Sequence, residues 1–293
     1  MRLSILDNGH RTRARLFFRA TSPDAPDIVR TLLYRPGFFA RPLLAITVPA
    51  MRGESYWTAA EREYLAMSTA RLHQSEFCLE SHTELTRIAG HGEIDPADPG
   101  SARAELRAVR EFLAEVSVTP DTADATRVAG LPDHAVREAL AVNLVWNVVN
   151  RVGNAFGFEL RGDQVHSGTR ALHRFGYRFP GFLLAGGDRT DLGDPVENLR
   201  HAVLVAPAVT DPGWRAAAAT GGELPEPWPS YTGLVRDASH RITDADVARL
   251  TAAGRTEDEI YEMTVAAAVG AALRSYDAGR RAQREATGRN DRR

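Results

Sequence analysis

The segment from Asp133 to Phe156 constrains the fold more than any other, because its apolar residues recur at helical spacing. These apolar residues are Val136, Leu140, Leu144 and Val148. A step of four residues places them on one face of an α-helix. No segment shows the alternation of apolar and polar residues that is typical of a half-buried strand. The sequence therefore predicts an all-α fold.

Two further helices are predicted from start and stop signals. Thr58 and Glu61 have the spacing of a capping box at the start of a helix over residues 59–72. A second helix over residues 76–89 follows a short break, and Gly90 is expected to end it as the C-terminal glycine. We expect the two helices to form an antiparallel hairpin.

The chain divides into three predicted regions. A helical domain is expected over residues 1–160, with its first helix starting near Asp27. A connection rich in glycine and proline, with short helices inside it, is expected over residues 161–228. A C-terminal helical extension is expected over residues 229–293, and its charged, basic tail is expected to fray from Gly279 onward.

The chain contains no lysine, so all 36 basic residues are arginines. A Schiff-base lysine, an anchor for pyridoxal phosphate and the lysine of a phosphate-binding loop are therefore excluded. The formal net charge of -2 gives no electrostatic reason to expect a nucleic acid or an anionic membrane as a partner.

Cys78 is the only cysteine, so a disulfide within the chain is excluded, as is a four-thiolate metal site or iron–sulfur cluster. The first residues turn polar too early for a secretory signal peptide. The longest apolar stretches, near residues 139–149 and 263–273, are shorter than the ~20 residues of a membrane-spanning helix. A cytoplasmic protein is expected.

Four residues around the break between the two hairpin helices have the chemistry of a catalytic site. They are Glu63, Ser75, Cys78 and His82. Cys78 lies in the first turn of the second helix, where free N–H groups and the helix dipole favour a thiolate, so a lowered pKa is expected. His82 lies one turn later on the same face and can exchange a proton with Cys78. Glu63 can face back from the preceding helix to orient the imidazole or relay the proton.

The same residues also have ordinary structural interpretations. Ser75 is a natural N-cap residue for the second helix. A lone cysteine such as Cys78 commonly serves as a small buried hydrophobe, and His82 is then a polar neighbour. Spacing alone leaves both interpretations open.

The segments that hold these residues resemble the signature of the alkylhydroperoxidase D (AhpD-like) and carboxymuconolactone decarboxylase superfamily. That signature is a glutamate, eleven residues, Cys-x-x-Cys, three residues and a histidine, and Glu63, Cys78 and His82 occupy its positions. The stretch 144–151 resembles the late helix of the family, with its Asn-x-x-x-Arg ending. The resemblance covers about residues 25–160, and residues 231–274 resemble a C-terminal helical extension of longer family members.

The resemblance implies an AhpD-like helical fold and a thiol-dependent, peroxiredoxin-type oxidoreductase with an antioxidant role. Such an enzyme reduces a hydroperoxide through Cys78, with His82 and Glu63 as a proton relay and without a cofactor or metal. Ser75 stands where the first cysteine of the family signature belongs. No second thiol in the chain can then resolve a sulfenic acid on Cys78, so an external thiol reductant is required.

Two other functions are compatible with the same residues. A non-redox lyase or isomerase of the carboxymuconolactone decarboxylase type uses Glu63 and His82 as acid and base, with an arginine holding a substrate carboxylate. A catalytically silent family member keeps the fold alone. For either enzyme the substrate is a small molecule, a hydroperoxide or a carboxylate, and the resemblance implies a homo-oligomer, a trimer or a hexamer.

Overall fold

The computed structural model describes residues 1–21, 25–187 and 189–290, which form helices and no strand. The prediction of an all-α fold is therefore confirmed. The α-helices are α1 (Ile5–Asn8), α2 (Thr12–Thr21), α3 (Asp27–Tyr34), α4 (Arg41–Arg52), α5 (Ala59–Leu72), α6 (Glu76–Gly90), α7 (Ala104–Val118), α8 (Asp133–Phe156), α9 (Gln164–Phe175), α10 (Pro195–Arg200), α11 (Pro212–Thr220), α12 (Trp228–Ala238), α13 (Asp244–Ala252) and α14 (Glu257–Asn290). None of the helices in these ranges combines the length and the apolarity that crossing a lipid bilayer requires.

Helices α8 and α14 pack against each other and form the centre of the hydrophobic core. The fraying predicted from Gly279 onward is wrong for residues 279–290, which continue α14. Gly279 has no side chain, so Leu140 of α8 lies close to its backbone. Further along, the Nε2 amide of Gln283 donates a hydrogen bond of 2.8 Å to the carbonyl of Asp133. These contacts keep the helix ordered, and residues 291–293 of the predicted tail lie outside the described residues.

The N-terminal helices α1 and α2 are not predicted by the sequence pattern, because α1 is very short and α2 is largely polar. Contacts with the start of α14 hold this end of the chain in place. The backbone N–H of Ser4 donates to Glu257 at 3.1 Å, and the hydroxyl of Tyr34 donates to Asp258 at 2.7 Å. One hydrophobic core thus includes residues from all three predicted regions, from Leu3 to Ala282.

The predicted hairpin is formed by α5 and α6, which pack along each other. The capping box at the start of α5 is confirmed: the N–H of Glu61 donates to the Thr58 hydroxyl at 3.2 Å, and the N–H of Thr58 donates to the Glu61 carboxylate at 2.9 Å. Helix α6 ends at Gly90 as predicted, but Gly90 is not the left-handed residue that follows the helix. Gly90 is the last helical residue, and His91 adopts the left-handed conformation with a φ of 45°.

Gly270 on α14 permits the closest helix–helix approach in the core. A Cβ at this position would lie 2.3 Å from both Cα and Cβ of Ala219 on α11. Gly270→Ala is therefore expected to lower the free energy of unfolding by about 1–3 kcal/mol, because the added methyl group forces the two helices apart. Urea denaturation followed by circular dichroism measures the change.

Gly233 on α12 provides the matched control, because a Cβ at this position would lie 3.8 Å from its nearest neighbour, an Arg236 nitrogen. Gly233→Ala is expected to raise the free energy of unfolding by up to about 1 kcal/mol, since alanine favours a helix over glycine. A gain of stability in Gly270→Ala as well would show that α11 and α14 are not in close contact.

Candidate active site

The carboxylate of Glu63 is the centre of a buried polar cluster between α4, α5 and α6. Glu63 is completely buried on α5. Its Oε2 accepts a hydrogen bond of 2.7 Å from Nδ1 of His82 on α6. Its Oε1 accepts one of 2.6 Å from Nη2 of Arg52, the last residue of α4. The two predicted residues Glu63 and His82 are therefore joined directly.

Tyr177 closes the cluster from the segment that follows α9. Its hydroxyl lies 3.0 Å from each oxygen of the Glu63 carboxylate and donates to it. Gly176 and Tyr177 both have a positive φ, 61° and 63°. This tight turn directs the phenol toward the Glu63 carboxylate. The guanidinium of Arg52 lies 5.0 Å from the centre of the phenol ring. Tyr177 is thus held from both sides.

The sequence pattern does not identify Arg52 or Tyr177 as partners of Glu63. Arg52 lies eleven residues before Glu63 at the end of another helix, and Tyr177 lies 114 residues after it. No local spacing relates either residue to Glu63. Only the packing of α4 and of the segment after α9 against the hairpin brings their donors to the carboxylate.

The partners of Glu63 control its charge. Burial alone would raise the pKa of this carboxyl, but the hydrogen bonds from His82 and Arg52 and the positive charge of Arg52 hold it below its usual value. Burial and the neighbouring carboxylate raise the pKa of Tyr177 well above its usual value, so the phenol keeps its proton. The cluster therefore contains an ionised carboxylate that accepts from a neutral phenol, an imidazole and a guanidinium.

The imidazole of His82 is fixed in position but keeps one nitrogen free. Its ring packs edge-on against Trp146 of α8, with 4.0 Å between the ring centres. Because Nδ1 donates to Glu63, Nε2 is the nitrogen that can accept or deliver a proton. Within the described ranges, Nε2 forms no hydrogen bond. His82 thus has the geometry of an oriented general base.

Cys78 does not have the properties that its position suggests. The expected lowering of its pKa is wrong, because burial raises the pKa of the thiol to about 12, and a hydrogen bond with the Ser75 side chain offsets only part of this effect. Both residues are almost completely buried. Ser75 occupies the N-cap position of α6, yet its hydroxyl does not cap the helix.

The four predicted residues therefore form two pairs, Glu63 with His82 and Ser75 with Cys78. In the part of the chain that the structure describes, no hydrogen bond joins Cys78 to His82. The same part contains no group of three or more histidine, cysteine, aspartate or glutamate residues that could hold a metal ion.

Asn150 on α8 adds an unexpected polar group beside this region. It is completely buried, and neither its Oδ1 nor its Nδ2 has a hydrogen-bond partner among the described residues. Asn150 lies four residues after Trp146, so the two side chains share a face of α8. A buried amide without a partner lowers stability, which makes Asn150 a candidate for binding a substrate.

A scan against protein-family models and a search of curated proteins return no match to this chain. The similarity of Glu63, Cys78 and His82 to the AhpD-like signature therefore stays a prediction.

The reactivity of Cys78 with iodoacetamide tests the burial of the thiol. Because the folded pKa is about 12 and the ordinary value is 9.0, alkylation near neutral pH is expected to be about 10³-fold slower than in the urea-unfolded chain. The rate in the folded protein is expected to rise steadily up to about pH 10 without a plateau. A plateau near neutral pH would restore Cys78 as a low-pKa nucleophile.

The unpaired amide of Asn150 gives a test that needs no substrate. Asn150→Leu keeps the branched shape at Cγ and removes two unsatisfied polar groups, so the free energy of unfolding is expected to rise by about 1–2 kcal/mol. Asn143 on the same helix is the control, because its amide is paired with Thr69 and Ser117 at 3.2 and 3.1 Å.

Asn143→Leu is expected to lower the free energy of unfolding by about 1–3 kcal/mol, since it removes both of these buried hydrogen bonds. Urea denaturation of the two variants side by side measures both changes. An equal loss of stability in both would assign Asn150 a structural role.

Proposed function

We propose that this protein is an acid–base enzyme that transfers a proton to or from carbon in a small carboxylate substrate. It acts as a non-redox lyase or isomerase, the second of the activities that the AhpD-like and carboxymuconolactone decarboxylase resemblance implies. The observation that carries the proposal is the hydrogen bond of 2.7 Å between Nδ1 of His82 and the buried carboxylate of Glu63. This bond leaves Nε2 of His82 as the proton-transferring atom.

The Glu63–His82 pair has the physical properties that a general base needs. When Nε2 of His82 takes a proton from a substrate carbon, the imidazole becomes cationic. The ionised Glu63 beside it stabilises this cation, and the low polarity of the buried site strengthens the attraction. Arg52 and Tyr177 keep Glu63 ionised and in place, since both donate to it. They are positioning residues in this proposal.

The reaction is balanced without an oxidant. The electron pair of the broken C–H bond passes to the carbonyl group of the substrate and gives an enolate. In an isomerisation, protonated His82 returns the proton to a different carbon. In a decarboxylation no C–H bond is broken: the electron pair of the C–C bond to the carboxylate forms the enolate as CO₂ leaves. His82, which is then protonated at the start, gives its proton to the enolate carbon and regains one from solvent. The unpaired amide of Asn150 is available to hydrogen-bond the enolate oxygen or the carboxylate.

Thiol chemistry is the second candidate, and the position of Cys78 in the first turn of α6 with Ser75 beside it favours that candidate. A thiolate would attack the O–O bond of a hydroperoxide, release the alcohol and become a sulfenic acid. An external thiol would then reduce the sulfenic acid through a mixed disulfide. Burial of Cys78 opposes the first step, because it disfavours the thiolate.

The resemblance also supplies the assembly and the setting of the proposed enzyme. We propose that the enzyme is a homo-oligomer, a trimer or a hexamer, and that it is cytoplasmic. A single free thiol is typical of proteins from a reducing compartment. Exposed apolar residues such as Val205 and Val209 are compatible with contacts between subunits.

A substrate panel distinguishes the two candidates. Small keto acids and unsaturated lactone carboxylates are incubated with the protein in D₂O, and NMR follows C–H exchange and CO₂ loss. An organic hydroperoxide with dithiothreitol forms the parallel assay. His82→Gln and Glu63→Gln are expected to lower turnover by about 10²–10⁴-fold, whereas Cys78→Ser keeps most of it.

The matched control is His166→Gln, because His166 also lies beside a glutamate, Glu84, at 3.7 Å, but its side chain is 59% exposed. This variant is expected to retain full turnover. Equal turnover in His82→Gln and the unaltered protein would overturn the proposal. Hydroperoxide consumption that disappears in Cys78→Ser would establish the thiol candidate in its place.

A further inference from the structure

A second polar region lies at the far end of α5 from Glu63. It is a cleft of about 720 Å³ between the ends of α5, α7, α11 and α12 and one face of α14. His73, just after α5, lines the cleft, and it lies roughly 15 Å from Glu63 along the helix axis. The cleft is large enough for a small metabolite.

Positive charge dominates the lining of this cleft, which contains five arginines and three aspartates. Two of the arginines are already neutralised: Arg200 pairs with Asp277 at 3.0 Å, and Arg274 pairs with Asp121. The remaining arginines are Arg151, Arg236 and Arg281. The third lining aspartate, Asp237, is exposed and forms no ion pair within 4.0 Å in the described ranges.

Arg151 on α8 is the decisive residue of the cleft. Only 5% of it is exposed, and its guanidinium is bound by neutral groups alone. Nε donates to the carbonyl of Arg236 at 2.9 Å, and Nη1 donates to the side-chain oxygen of Asn147 at 2.7 Å. Its other amino group, Nη2, forms no hydrogen bond with a described residue. No carboxylate among the described residues lies within ion-pairing distance of Arg151, and Asp237 attracts it only at longer range. A buried guanidinium without a close ion pair lowers stability unless an anion compensates it.

Arg236 likewise has no close ion pair and is attracted by Asp237 only at longer range. Its Nη1 donates to the carbonyl of Ala218 at 2.7 Å, and no ion pair within 4.0 Å joins it to a carboxylate in the described part of the chain. The cleft thus presents two guanidinium groups that are held by neutral acceptors, with the exposed Arg281 as a third. Guanidinium groups fixed in this way bind tetrahedral anions through paired N–H donors.

We propose that this cleft binds the phosphate group of a small phosphomonoester, with Arg151 and Arg236 as its principal ligands. The two negative charges of a phosphomonoester match the lining of the cleft, in which five arginines exceed three aspartates by two positive charges.

The apolar part of the lining indicates that the ligand is an ester and not a bare ion. Leu72, Leu204 and Leu273 line the same cleft, and they provide a surface for the organic part of the molecule. This proposal does not depend on the function proposed for Glu63 and His82, since the two sites share no residue.

Isothermal titration calorimetry with phenyl phosphate, inorganic phosphate and benzoate tests the proposal. Phenyl phosphate is expected to bind at least tenfold more tightly than benzoate, which has the same ring but a monoanionic carboxylate. Inorganic phosphate is expected to bind with intermediate affinity and to compete with phenyl phosphate. Equal affinity for benzoate and phenyl phosphate, or no binding of phenyl phosphate, would overturn the proposal.

Variants locate the binding. Arg151→Gln is expected to raise the dissociation constant of phenyl phosphate at least tenfold. Arg236→Gln is expected to have the same effect, and it replaces a side chain that is only partly buried. If circular dichroism shows that Arg151→Gln does not fold, the dissociation constant of Arg236→Gln alone tests the proposal. Arg87→Gln, at a side chain that is 58% exposed on α6, makes the same change of charge and is expected to leave the constant unchanged. Equal weakening by Arg87→Gln and Arg236→Gln would reduce the effect to overall charge and overturn the site.

Discussion

The hydrogen bonding of the Glu63 carboxylate is the constraint on which the arrangement of the candidate site depends. A fully buried carboxylate without partners would be strongly destabilising, and here three donors from outside α5 satisfy it. They come from the end of α4, from α6 and from the turn after α9, through Arg52, His82 and Tyr177. Because one carboxylate binds all three, displacement of any one of these elements removes one of the donors that compensate the buried charge. The packing of these helices and the orientation of the imidazole therefore depend on each other.

Helix α8 separates and supports the two polar regions of the molecule. Trp146 packs against the imidazole of His82, and Arg151 lines the cationic cleft. The five-residue interval between Trp146 and Arg151 turns the helix by about 140°, so one rigid element presents different chemistry on two sides. Asn147 fixes the guanidinium of Arg151 through an i, i+4 hydrogen bond of 2.7 Å. The helix whose apolar residues recur at steps of four thus also carries four buried polar side chains, Asn143, Asn147, Asn150 and Arg151.

Features that depend on neighbouring residues could be predicted from the sequence, and features that depend on distant packing could not. The capping box at Thr58 is local, so its spacing was sufficient, and the hairpin geometry was sufficient to pair Glu63 with its histidine. Tyr177 reaches the carboxylate across 114 residues, which no spacing encodes. For Cys78 the sequence predicts a lowered pKa, because its position at the helix start is local information. The pKa is raised instead, because burial has the larger effect and depends on packing that the sequence does not display. Gly279 suggested a helix end, yet close packing against α8 makes glycine the residue that lets the helix continue.

The contacts between the two ends of the chain have a consequence for the order in which the molecule assembles. Ser4 and Tyr34 bind Glu257 and Asp258, so the N-terminal helices find these partners only after more than 220 further residues have been synthesised. Helix α14 also fills the groove beside α8. A ribosome-bound chain that ends before α14 consequently exposes one wall of its core. Contacts this distant in sequence slow folding and prolong the lifetime of intermediates in which this apolar surface is exposed.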